Sequence, residues 1–140
     1  MASATTLYTP EVLALATSLA GYPMTDDLVH RGQARSQSCG SAIEIGLALD
    51  AQGRISQLGL KAHACAVGQA SAAIFAAGAI GLSRPDIVLA EAAIVAWLSD
   101  EAAMPGWQGL GAIAAAQSYP GRHAAILLAW RAALRALPST

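Results

Sequence analysis

A chain of 140 residues, about 55% apolar and 12% charged with a formal net charge of −1, fits one compact domain over residues 1–140. That balance is far from the signature of disorder, and the lack of a Lys/Arg cluster speaks against a nucleic-acid surface. Much of the apolar content is alanine, so the core has to rely on close backbone approach and many small contacts.

The first predicted element is a short helix over 9–20. Pro10 and Glu11 suit its first turn, Val12, Leu13, Leu15, Ala16 and Leu19 follow at helical spacing, and Gly21 with Pro23 closes it. The stretch 28–38 alternates weakly and predicts an edge strand. Residues 42–50 alternate cleanly, with Ile43, Ile45, Leu47 and Leu49 on one side. Asp50-Ala51-Gln52-Gly53 reads as a turn, and 55–63 alternates again with Leu58, Leu60 and Ala62 on one face. Matching the two apolar faces requires partners whose numbers sum to about 105, so Ile45 meets Leu60 and Ile43 meets Ala62.

From Cys65 onward the pattern is helical. Residues 65–77 predict a buried helix of small apolar residues, and Ser83-Arg84-Pro85-Asp86 opens another running to about Leu98. Pro105 and Gly106 interrupt the chain, a short helix is expected over 110–117, and Pro120-Gly121 introduces a last one ending near Leu137. Strands early and helices late predict an α+β fold: a small three-stranded antiparallel sheet covered on one face by helices.

The longest stretch free of formal charge, 62–83, is long enough to cross a bilayer, but His63, Gln69 and three glycines lie within it and alanine dominates the rest. It is read as a strand end followed by a buried helix. The apolar run 12–20 has no basic residues before it and makes a poor signal peptide. A cytoplasmic protein without membrane or nucleic-acid partners is therefore expected, with Cys39 and Cys65 as thiols.

The hairpin register places Cys39 at the start of one strand and Cys65 at the end of its neighbour, so both thiols are expected at one end of the sheet. Cys65 also opens a helix, where free N–H groups favour a thiolate. Buried apolar cysteines are the ordinary alternative, and two cysteines at this spacing are no compact zinc motif. His63, two residues before Cys65, is a further candidate ligand. His123 is a weaker one, and His30 gives no signal. Trp97, Trp107 and Trp130 are expected as core or interface anchors. Asp100 and Glu101 are adjacent and form no catalytic pair; with no phosphate loop or nucleophile elbow either, the chain is not expected to be an enzyme.

Ser38-Cys39-Gly40-Ser41, the strand and Gly53 turn that follow, and Ala64-Cys65-Ala66-Val67-Gly68-Gln69-Ala70-Ser71 resemble the U-type scaffold proteins of iron–sulfur assembly, the NifU N-terminal domain, IscU and SufU. Tyr119-Pro120-Gly121-Arg122 and Leu128-Ala129-Trp130 look like the last helix of the SufU-like form. The resemblance implies a SufE/NifU-like scaffold fold, an iron–sulfur cluster, iron or zinc as cofactor held by Cys39 and Cys65, and a cysteine desulfurase or other assembly protein as partner; His63 is the candidate replacement for a missing family ligand. The chain departs from the family twice. Ser41 stands where the family carries aspartate, and Ala125 falls where its third cysteine lies, so two expected ligands are missing. Three functions follow as expectations: a cluster- or metal-binding scaffold, a degenerate scaffold acting as a protein-binding module without a cluster, and a thiol pair cycling through a disulfide.

Overall fold

The computed structural model describes residues 7–37 and 40–139. Helix α1 spans Pro10–Ser18 and ends in a 3₁₀ turn, Leu19–Gly21. Thr9 caps it, its hydroxyl accepting the Val12 N–H at 3.1 Å, with proline in the first turn as the sequence predicts. Three strands follow: β1 (His30–Arg35), β2 (Ala42–Leu49) and β3 (Ile55–His63). Helices α2 (Ala66–Ala79), α3 (Arg84–Leu98) and α4 (His123–Ala136) complete the chain.

The strands form one antiparallel sheet in the order β1-β2-β3. Ile45 faces Leu60 and Ile43 faces Ala62, as the alternation requires. Near the turn the register shifts by one between Ala48 and Leu49, so Leu49 faces Ile55. The turn is held by Asp50, whose Oδ1 accepts the N–H groups of Gln52 at 2.9 Å and Arg54 at 3.0 Å. Gly53 takes a φ of +78°, open to glycine at little cost.

Ile43, Ile45 and Leu47 are almost fully buried, with α4 packed on β1 and β2 and α2 packed on β3 and against α4. Ser71 joins those two helices, its hydroxyl donating to the Ile126 carbonyl at 2.7 Å inside the core. Phe75, Trp107 and Trp130 form one aromatic cluster, with ring centroids 5.2–5.7 Å apart. Trp107 also donates its indole N–H to the Ile74 carbonyl at 2.9 Å, and Trp97 is buried. The alanines of α4 let the sheet come very close. A Cβ at Gly32 of β1 would lie 2.2 Å from the Ala132 carbonyl oxygen.

Two features differ from expectation. The short helix expected over 110–117 is a 3₁₀ stretch, Leu110–Ser118, broken at Ile113. Its buried residues, Leu110, Ile113 and Ala116, recur every third position, and three residues per turn bring all of them onto the core. The second sheet face is also partly covered, because 23–28 crosses it. A Cβ at Gly59 would lie 2.3 Å from the Pro23 carbonyl oxygen, and one at Gly46 would lie 2.9 Å from Leu28 Cβ. These glycines face each other across β2 and β3 and leave room for the crossing chain.

Helix α3 begins with a capping box. The Asp86 carboxylate accepts the backbone N–H of Ser83 at 2.9 Å and its hydroxyl at 3.0 Å. Those bonds, backbone first, with the Arg54 guanidinium beside them, hold Asp86 below the usual carboxylate range. Among the described residues no helix is long and apolar enough to cross a membrane.

Candidate functional site

At the end of the sheet away from the Asp50 turn, Ala42 pairs with His63 as the last rung between β2 and β3. The chain then turns at Ala64 and enters α2. Cys65 is the N-cap of that helix, extended at φ −64° and ψ 169°, with a free, half-buried thiol. One helical turn on, Gln69 braces this corner. Its side-chain amide donates to the Ala64 carbonyl at 2.8 Å while its backbone N–H donates to the Cys65 carbonyl at 2.9 Å. The His63-Ala64-Cys65 corner is thus fixed from both backbone and side chain.

Opposite it runs the connection from β1 to β2. Ser36 and Ser41 close it through the Ser36 N–H and the Ser41 carbonyl at 2.8 Å, and the Gly40 N–H donates to the Ser36 carbonyl at 3.1 Å. Gly40 has a φ of +72°, which a side chain would strain, so glycine belongs there for the backbone's sake. Between the two segments lies an open cleft of about 400 Å³. Gly40 and Ser41 line one side, and Ala62, His63, Ala64, Cys65 and Gln69 the other.

Of the residues singled out from the sequence, Cys65 and His63 meet in this cleft. Cys39 lies outside the described residues, directly before Gly40 in the chain. Ser41 lines the cleft but is 3% exposed. Ala125 is fully buried on α4, and its place is informative: a Cβ built on Gly68 would lie 3.0 Å from Ala64 Cβ and 3.4 Å from Ala125 Cβ. Ala125 therefore stands behind the cleft wall, across Gly68 from the residue beside Cys65.

His123 has a structural role, its Nε2–H donating to the Gln117 carbonyl at 2.8 Å, and it does not line the cleft. His30 sits at the far end of β1, five residues from the Arg35 rung and so roughly 17 Å away along the strand. Asp100 and Glu101 are exposed beyond the end of α3. Gln69 was not singled out from the sequence. The signal was its spacing of four from Cys65, which puts both on one helix face.

A thiol and an imidazole are the nitrogen and sulfur donors that zinc and iron take. Ser41 offers a neutral hydroxyl and Ala125 offers nothing. Among the described residues no group of three His, Cys, Asp or Glu is placed to hold a metal ion. The described donors therefore suit a metal but do not complete a four-coordinate site.

No family model matches the chain, and no curated protein is similar to it in sequence. Solved structures are. The N-terminal part of a nitrogen-fixing NifU-like protein from Brucella abortus superposes with a TM-score of 0.82 at 22% identity, covering 94% of this chain and 92% of that one. A putative iron–sulfur cluster assembly scaffold protein for the SUF system from Fervidobacterium islandicum AW-1 superposes with a TM-score of 0.85 at 17% identity, covering 97% and 100%. A hypothetical protein superposes at 0.72 with 20% identity, over 89% of this chain and 95% of that one. The fold implied by the sequence resemblance is thus the fold observed.

Proposed function

We propose that this chain, which has the fold of the U-type iron–sulfur scaffold proteins, is a non-enzymatic carrier whose cleft takes iron, zinc or a nascent iron–sulfur cluster as transient cargo. Cys39, Cys65 and His63 are the ligands in this reading, and a cysteine desulfurase or another iron–sulfur assembly protein is the partner. One observation carries it: Cys65 and His63 line the same cleft, facing the Gly40–Ser41 segment that directly follows Cys39. The wide opening suits delivery and removal of cargo.

Each residue has a definite task. Cys65 presents a sulfur donor at the mouth of α2, His63 adds a nitrogen donor, and Gln69 keeps the corner between them from swinging. A hydroxyl at Ser41 and a methyl at Ala125 in place of a carboxylate and a thiolate lower the ligand charge, which favours release over storage.

Zinc affinity measured by competition with a chromophoric chelator tests this reading. A structural zinc site holds its ion by about 10–16 kcal/mol over four ligands, so one ligand is worth roughly 3 kcal/mol, or about 100-fold. Cys65→Ser is expected to weaken zinc binding by about that factor. Wild-type protein that takes up neither zinc nor iron would instead favour the second reading, a protein-binding module without cargo, which the donor-free Ala125 supports.

A further inference from the structure

The two edges of the sheet are finished differently. The outer edge of β3 is closed by the chain itself: Leu60 donates its N–H to the Tyr22 carbonyl at 2.9 Å, and Ile55 exchanges bonds with Leu82 and Gly81 at 2.8 and 2.7 Å. The other edge is β1, which pairs only with β2. The Ser36 N–H, one residue past β1, points inward to the Ser41 carbonyl at 2.8 Å, whereas the Gln33 carbonyl points away and accepts Nη1–H of Arg135 from α4 at 2.8 Å. Backbone direction alternates along a strand, so Arg31, Gln33 and Arg35 turn their N–H and C=O groups to the open edge. Among the described residues no backbone group meets them there. Beside this edge lies a hollow of about 380 Å³ lined by Gln33, Ala34, Arg35 and Arg135. The Arg31 guanidinium is tied down, donating to the Leu28 and Thr25 carbonyls at 2.6 and 2.8 Å. The exposed Arg35 side chain makes no hydrogen bond or ion pair among the described residues, and no carboxylate there pairs with Arg135.

We infer that the β1 edge docks an extended acidic segment of a partner protein, which joins the sheet as a fourth strand with its carboxylates at Arg35 and Arg135. Main-chain bonds to Arg31, Gln33 and Arg35 supply affinity, and the two guanidinium groups select the sequence. Charge decides the occupant. A second copy of this chain, paired β1 to β1 about Gln33, would set Arg31 against Arg35 twice and bring both Arg135 side chains to one seam. Like charges directly opposite destabilise such a pair, and charged edges ordinarily prevent it. An acidic strand meets the same groups with the opposite sign. Arg35, Ala42 and His63 share one rung across the three strands, so the docked strand lies three strand spacings, about 14 Å, from His63. A partner is thereby held beside the cleft without filling it. The inference goes beyond the carrier reading and does not depend on cargo.

The probe is a short fluorescein-labelled peptide alternating valine and glutamate, titrated into the full chain by anisotropy and followed by amide hydrogen exchange. Binding is expected to slow exchange at Arg31, Gln33 and Arg35 and to leave Gly32 and Ala34, whose N–H groups already face β2, unchanged. Arg35→Glu is expected to weaken the peptide about fivefold, as for one exposed ion pair replaced by a like-charge contact. A peptide alternating valine and lysine is expected to reverse that preference and bind Arg35→Glu more tightly than wild type, which a merely damaged fold would not give. N-methylation of alternate amides in the glutamate peptide is expected to abolish binding. An affinity unmoved by Arg35→Glu or by N-methylation overturns the inference, as does binding that leaves the three edge amides unprotected. Protection of those amides by raised protein concentration alone assigns the edge to a second copy and also overturns it.

Discussion

Gly32→Ala is expected to lower stability by about 3 kcal/mol, at the upper end of ordinary overpacking costs. Strand interiors usually gain from the exchange, since glycine is the more costly residue to order there. Here the sign reverses, because the new methyl would sit 2.2 Å from the Ala132 carbonyl oxygen and 2.6 Å from the Ala136 backbone nitrogen. Both are backbone atoms of α4, so no rotamer change relieves the overlap and the helix must lift from β1. The buried α4 side chains would follow it, Trp130 and Leu128 among them. Thermal unfolding checks this, with a midpoint about 10 °C below wild type expected for a chain of this size. Gly21→Ala, where a Cβ meets nothing within 4 Å, is the matched control. Equal midpoints for the two variants would contradict the close contact of β1 and α4.

Ala125→Cys is expected to strengthen zinc binding by about 100-fold, the average worth of one ligand in a four-ligand site. Its Cβ lies across Gly68 from Ala64, so a sulfur there adds one donor behind the wall that carries Cys65. The position is fully buried, and the larger side chain costs roughly 1–3 kcal/mol of fold stability. Chelator competition and thermal unfolding separate the two effects. An unchanged zinc affinity in a folded Ala125→Cys variant would place Ala125 out of reach of the cleft.

The sheet was legible because its pattern is strict. Alternation at Ile43, Ile45 and Leu47 against Leu58, Leu60 and Ala62 leaves one register that buries both faces, and that register is observed. The helix ends were legible for similar local reasons, with Pro10 and the Ser83–Asp86 pair marking starts. The crossing of the second face by 23–28 was not. Its only trace is the absence of side chains at Gly46 and Gly59, and glycine in a strand also signals bulges or loose packing. The 3₁₀ character of Leu110–Ser118 escaped because an alanine-rich run has no sharp period until its few large residues are set against a core. At the site, strand alternation located His63 and the hairpin register brought it to the end of the sheet where Cys65 opens α2.

The most direct test of cargo binding is anaerobic reconstitution of the full chain with iron and sulfide, followed by desalting, metal analysis and absorption spectroscopy. A retained thiolate-to-iron charge-transfer band is expected in wild-type protein, abolished by Cys65→Ser while the fold persists. A colourless wild-type protein free of iron and zinc, or a band that survives in Cys65→Ser, would contradict cargo binding in the cleft.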